Sequence, residues 1–245
     1  MSISCFLKFG KREHLESLAQ GKIHFSPVRE LREREDTMQK GVGDKYEGEI
    51  EIACKKTTFI DSCGIERERC CSWAFTSELL DEVPVFCLTA CSNNECVWQD
   101  GKQVPQIKPE TLEQFKERYD NYDSVAVIEK PELFKKDMED AFNGAVRHHE
   151  ITYRNIKIKE GESHPIEIFW DCVANGEALL PNKLYTGKAE DLINLLFYKD
   201  RDFSAESEYR FVVTDEARKI KIATDFCINM SSPVSIYSFD ELSCK

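Results

Sequence analysis

The segment Ser204-Ala205-Glu206-Ser207-Glu208-Tyr209-Arg210-Phe211-Val212-Val213 holds the densest set of chemistry-bearing residues in the chain. In an extended strand successive side chains alternate, so Glu206, Glu208 and Arg210 share one face and Ser207, Tyr209, Phe211 and Val213 the other. Two carboxylates and a guanidinium at period two make a polar row at a strand entrance. Such a row can hold a phosphate, polarise a ribose hydroxyl or supply a general base. The same spacing also describes a cross-strand ion pair with solvent on that face.

Three further groups could join it. Asp44 and Glu47 follow a loop with glycines at 41 and 43. They could bind a cation, but a magnesium site needs three or more oxygen ligands, and a solvated acidic turn has the same composition. Cys91-Ser92-Asn93-Asn94-Glu95-Cys96-Val97-Trp98 places small polar residues between an apolar run and a tryptophan. Ser92 and Trp98 could there floor a base or nicotinamide pocket, or Trp98 could simply pack in the core. Lys8 is the single charge in the first apolar segment, and His24 and Ser26 lie in the next, so neighbouring strands could bring them to one pocket. Arg147, His148, His149 and Arg154 form a short basic patch.

Composition narrows the classes. The 245 residues carry 33 lysines and arginines against 45 aspartates and glutamates, a net charge of -12. General duplex DNA binding needs a basic stripe and is not expected. No stretch approaches 18 apolar residues and the first ten residues do not read as a signal peptide, so a cytoplasmic chain without membrane contact is expected. The eleven cysteines are an odd number, and thiols are the expectation for that compartment. Cys87, Cys91 and Cys96 are the tightest group, but no second short pair accompanies them, so neither zinc nor magnesium is expected. The glycine-rich phosphate loops, HExxH and GxSxG are absent from the sequence.

The elements that must position these residues follow from period and punctuation. Strands are predicted at Cys5–Phe9, Ile23–Phe25, Glu49–Cys54, Pro84–Thr89, Ser124–Ile128, Tyr209–Val213 and Val234–Tyr237. A hairpin is predicted between Thr57–Ile60 and Ile65–Cys70. Shorter strands are read around Ile151–Ile158, Ile166–Trp170 and Lys219–Ile222. Helices are predicted over Glu13–Gln20 with Gly21 as the stop, Val28–Asp36 as an exposed helix, from Pro109, from Pro131 with Phe134, Met138 and Phe142 inward, and over Ala189–Phe197. The alternation is too irregular for a doubly wound parallel sheet. The expected fold is a single α+β domain over residues 1–245, with a curved, largely antiparallel sheet and inserted helices. The segment 160–163 is the one place for a hinge.

Five patches carry a resemblance: Lys8-Phe9, Gly21-Lys22-Ile23-His24-Phe25-Ser26-Pro27, Asp44–Gly48, Phe86-Cys87-Leu88-Thr89 with Trp98 after it, and Glu206-Ser207-Glu208-Tyr209-Arg210-Phe211. In these the chain resembles a group of poorly characterised bacterial and phage proteins, some linked to abortive infection. That group is in turn similar to ADP-ribosyltransferases, which open with a strand and a Leu-x-x-Leu helix, here Leu15-Glu16-Ser17-Leu18. The resemblance implies a role in phage–host conflict, in defence or counter-defence, and an NAD cofactor. Glu208 would orient the nicotinamide ribose with Glu206 beside it. Lys8 would stand in the first motif and Ser92 in the polar middle position. Arg210 or Lys8 would pair with the pyrophosphate, Trp98 or Tyr209 would stack on a ring, and Ser26 would border the pocket. The acceptor would be protein, nucleic acid or water. Lys8 stands where those enzymes have Arg or His, and no Ser-Thr-Ser triplet occurs. Two other readings stay open: a non-enzymatic acidic inhibitor or antitoxin-type partner of a basic protein, and a metal-dependent nuclease or phosphodiesterase using Asp44, Glu47, Glu206 and Glu208.

Overall fold

Ser124–Ile128 is buried at all five positions, as a strand covered on both faces must be. It lies inside a seven-stranded sheet. The computed structural model describes residues 3–37, 48, 50–60, 63–75, 78–92, 96–99, 102–105, 113, 122–154, 193–214 and 225–242. In chain order the elements are β1 (Ile3–Gly10), α1 (Arg12–Ala19), β2 (Lys22–His24), β3 (Ser26–Pro27), α2 (Val28–Thr37), β4 (Ile50–Ile60), β5 (Glu66–Phe75), α3 (Glu78–Asp81), β6 (Pro84–Ser92), β7 (Cys96–Gln99), β8 (Lys102–Pro105), β9 (Ser124–Ile128), α4 (Pro131–Ala141), β10 (Val146–Glu150), β11 (Thr152–Arg154), β12 (Tyr198–Asp200), a 3₁₀ turn (Arg201–Glu206), β13 (Glu208–Val213), β14 (Asp225–Cys227), β15 (Val234–Ser238) and α5 (Phe239–Leu242).

The sheet order is β10-β13-β6-β1-β9-β15, with β3 also paired to β6. Each of these pairings is antiparallel. Among the described residues four two-stranded pairs stand apart from it, of which β11–β12 is parallel. The chain is thus an α+β protein built on an antiparallel sheet.

The two faces of the sheet differ. Phe6, Phe86, Leu88, Tyr209, Phe211 and Val213 point to one side, where Leu15 and Leu18 of α1 and Phe134 and Met138 of α4 cover them. Ring contacts run through this layer, with Phe6 and Tyr209 centroids 4.7 Å apart and Phe134 edge-on to Phe211 at 5.5 Å. The opposite side carries two smaller clusters. Val85 and Val212 pack with Val28, Leu80 and Leu196, while Cys5, Leu7, Val125 and Val127 pack with Phe239.

Several local expectations meet their physical causes here. Pro131 opens α4 at its first turn, where a missing N–H costs nothing. Gly21 ends α1 at φ 80, and its N–H returns to the Leu18 carbonyl at 2.8 Å. The α2 segment forms a helix, but Val28 is wholly buried and Arg32 is ion-paired with Asp81, so α2 is anchored rather than freely exposed. The predicted hairpin is longer than its spacing indicated, because a register irregularity between Cys54 and Thr57 lets one strand run from Ile50 to Ile60. Arg147, His148 and His149, read as a basic patch, form the edge strand β10. The helix predicted from Pro109 and the strands at Ile166–Trp170 and Lys219–Ile222 lie outside the described residues, apart from helical residue 113.

Candidate functional site

Glu206 is not part of an extended row. It closes the 3₁₀ turn, and Ser207 then takes φ 43, a left-handed conformation uncommon for a residue with a side chain. That residue swings the chain into β13, which begins at Glu208 with its partner Thr89 on β6. The Ser207 carbonyl still accepts from the Ala90 N–H at 2.8 Å, so the ladder continues across the bend.

The three charged residues nevertheless meet, through a fourth. Lys199 of β12 is buried and its Nζ donates to Glu206 Oε2 at 2.8 Å and to Glu208 Oε2 at 3.1 Å. The other oxygen of Glu208 belongs to Arg210, whose Nε lies 2.7 Å and whose Nη2 lies 2.6 Å from Oε1. The remaining Arg210 nitrogen, Nη1, donates to the Leu196 carbonyl at 2.5 Å. Arg210 is 1% exposed and Glu208 6%. The Tyr153 hydroxyl on β11 accepts from the Glu208 backbone N–H at 2.7 Å.

Two carboxylates face two cations, so the cluster is neutral as a whole. Burial alone would raise the Glu208 carboxyl, but Arg210 and then Lys199, with hydrogen bonds from the Cys87 thiol and Arg210, outweigh it and hold the group well below the usual carboxylate range. Burial pushes the Cys87 thiol up to about 12, and the Glu208 charge adds to that. Burial likewise raises the Tyr153 phenol, which lies against Glu208, Glu206 and Lys199. Glu208 is therefore held as an anion between two cations, unsuited to taking up a proton near neutrality.

The other expected site residues do not gather here. Lys8 shares the parity of Phe6 and points to the aromatic side of the sheet, opposite Glu208 and Arg210. Its Nζ donates to the Cys87 carbonyl at 2.8 Å and lies 4.9 Å from the Phe86 ring centre. Ser92 follows the parity of Phe86, Leu88 and Ala90 on the same side as Lys8 and stands opposite Ile3. A single hollow bordered by Lys8, Ser92 and Glu208 is thus not formed, because the sheet itself separates them. Tyr209 is packed between Phe6 and Phe211 and its hydroxyl meets His148 Nδ1 at 2.7 Å, which leaves no ring face for stacking on a ligand. Ser26 is buried where β3 meets Val85 of β6, and His24 pairs with Asp225 at 2.8 Å. Trp98 lies on β7, with its side chain outside what is described. Asp44, Glu47 and the 160–163 segment also lie outside the described residues.

Lys199, Tyr153 and Cys87 complete the cluster and were not read from the sequence as its members. The available signal was weak: Lys199 follows the apolar stretch Leu195-Leu196-Phe197-Tyr198 but opens the charged run Lys199-Asp200-Arg201-Asp202, so its spacing does not mark it as buried. Among the described residues no group of three or more His, Cys, Asp and Glu side chains is placed to hold a metal, and no helix is long and apolar enough to cross a membrane. Compared with known proteins, the chain matches no family model, no curated protein and no solved structure.

Proposed function

We propose that this chain is a cytoplasmic, non-enzymatic binding protein of phage–host conflict, an acidic inhibitor or antitoxin-type partner that engages a basic protein. The observation that carries this reading is the closure of the Glu208 carboxylate: Arg210 takes one oxygen and Lys199 the other. A glutamate that orients a ribose or accepts a proton must offer a lone pair to a cleft. Here the lone pairs serve the protein's own cations, which suits a structural ion network.

Since that network sums to zero, the charge of -12 is carried by the rest of the chain. Glu13 and Glu16 on α1, Glu132, Glu139 and Asp140 on α4, and Glu150 on β10 are all exposed. A surface of that sign attracts a basic partner, and salt screens the attraction. The test pairs two measurements on the full chain: retention of basic proteins from a cell lysate on the immobilised chain in a salt series, and nicotinamide release from NAD beside a working transferase. Affinity that falls steeply with salt, with no nicotinamide released, is the expected result. Nicotinamide release that disappears in Glu208→Gln would overturn the proposal.

One observation favours the ADP-ribosyltransferase-like alternative. Glu208 sits at the entrance of a strand inside the central sheet, where the resemblance puts the ribose-binding glutamate. That reading requires substrate to displace Lys199 from Glu208. NAD would then protect the chain against thermal unfolding, and a flat melting temperature across an NAD titration would remove it.

A further inference from the structure

Two strands in the middle of the sheet set two thiols against each other. Cys5 of β1 stands directly opposite Cys91 of β6. Both belong to the cluster formed with Leu7, Val125, Val127 and Phe239, so both side chains leave the sheet on the same face. Directly opposed residues of an antiparallel pair have Cα atoms about 4.5 or 5.5 Å apart. A disulfide spans Cα separations of about 4.4–6.8 Å, so the strand pairing itself satisfies the reach. The register shifts between Ile3 and Cys5, so Cys5 sits beside an irregularity that bends its strand. In the β4–β5 pair the backbone register likewise matches Cys54 with Cys71. A cysteine in a core serves as a small apolar side chain, but that role alone does not call for two in direct register.

We propose that Cys5 and Cys91 are a redox pair that closes into a cross-strand disulfide when the chain meets a small-molecule disulfide such as glutathione disulfide. Cys91 is 6% exposed and Cys5 0%, so Cys91 reacts first. Its thiolate attacks one donor sulfur, the donor S–S bond breaks, and the first donor thiol leaves with the proton that Cys91 gave up. The Cys5 thiolate then attacks the Cys91 sulfur, and the second donor thiol leaves with the Cys5 proton. Two protein thiols are oxidised by two electrons, and the donor disulfide is reduced to two thiols. Cys87 shares this face of β6 but does not compete, since its thiol is held by the Glu208 carboxylate.

The test incubates the full chain with glutathione disulfide, quenches it in acid, alkylates the remaining thiols after denaturation and digests without reduction. The expected product is a peptide joining Cys5 to Cys91, lost on treatment with dithiothreitol and much less abundant when the oxidation is run in denaturing urea. Recovery of Cys5 and Cys91 in alkylated form, while the exposed Cys63 and Cys227 carry glutathione, would overturn the proposal. So would a Cys5–Cys91 peptide equally abundant from the unfolded chain. Cys5→Ala and Cys91→Ala each abolish the linked peptide. Should either fail to fold, the wild-type map in buffer against urea decides the question alone.

Discussion

Arg210 and Glu208 lie two residues apart on one strand and point to one face, and the guanidinium places two nitrogens on a single glutamate oxygen at 2.7 and 2.6 Å. Neighbouring side chains on a strand face rarely close so tightly unless something behind them fixes their rotamers. Here the Leu196 carbonyl holds the far end of Arg210, and Lys199 holds the far oxygen of Glu208. The pair is the keystone between β12, β13 and the turn that joins them.

Breaking the pair from one side is therefore costly. Arg210→Met leaves Glu208 buried with one cation, and the expected loss is about 3–5 kcal/mol of unfolding free energy. Glu208→Gln keeps the shape but leaves Arg210 buried without its anion, while Lys199 retains Glu206. The double variant restores charge balance, since Lys199 and Glu206 remain paired, so its loss falls short of the sum of the two single losses. Urea unfolding of the four chains, followed by tryptophan fluorescence, gives the coupling directly.

The same pair sets a pH dependence. The folded Glu208 carboxyl is held below its unfolded value, where glutamate titrates at about 4.3. Its stabilisation is complete above that range and is given up as pH falls through it toward the lower folded value. The urea midpoint of the wild-type chain should drop below about pH 5, and Glu208→Gln should remove part of that slope. Equal slopes in the two chains would show that other carboxylates carry the acid sensitivity.

The sheet was legible where burial on both faces imposes a pattern. Ser124–Ile128 and Pro84–Thr89 are apolar runs, and Val234–Tyr237 follows Pro233; the first strand matches its span, β15 ends one residue later and β6 three residues later. The Glu206, Glu208 and Arg210 group was legible as a set of charges but not as a geometry. Period two assumes an unbroken strand, and Ser207 at φ 43 breaks it. The partner that reunites Glu206 with Glu208 is Lys199, which comes from the other side of the 3₁₀ turn. Lys8 shows the opposite failure. Its strand was found, but a strand reading cannot say which face a side chain takes relative to a strand two hundred residues later. That depends on register, which only the pairing of β1, β6 and β13 fixes.

Gly21 gives a test of the α1 stop. A Cβ there would lie 2.3 Å from the Ile228 carbonyl oxygen, and φ is 80. Gly64 has nearly the same φ, 77, with nothing within 4 Å of its Cβ position. Gly64→Ala should therefore cost only the backbone term, about 1 kcal/mol. Gly21→Ala pays that term and must also move the Gly21–Ile228 backbone contact, so its melting temperature should fall clearly further. Equal shifts in the two variants would show that β14 yields freely.

Cys87 reports on the cluster from below. Cys87 is half-buried as a residue, and its thiol rises to about 12 because the sulfur is desolvated and because the Glu208 charge opposes a second anion beside it. At pH 8 it stays protonated, and the thiolate is the form that reacts. In timed alkylation at pH 8, read by mass spectrometry of the peptides, the exposed Cys63 and Cys227 should label first and Cys87 far behind. Glu208→Gln removes the opposing charge but leaves the burial, so Cys87 labelling should quicken while remaining slower than at the exposed sites. Unchanged labelling in that variant would mean that burial alone sets the reactivity of this thiol.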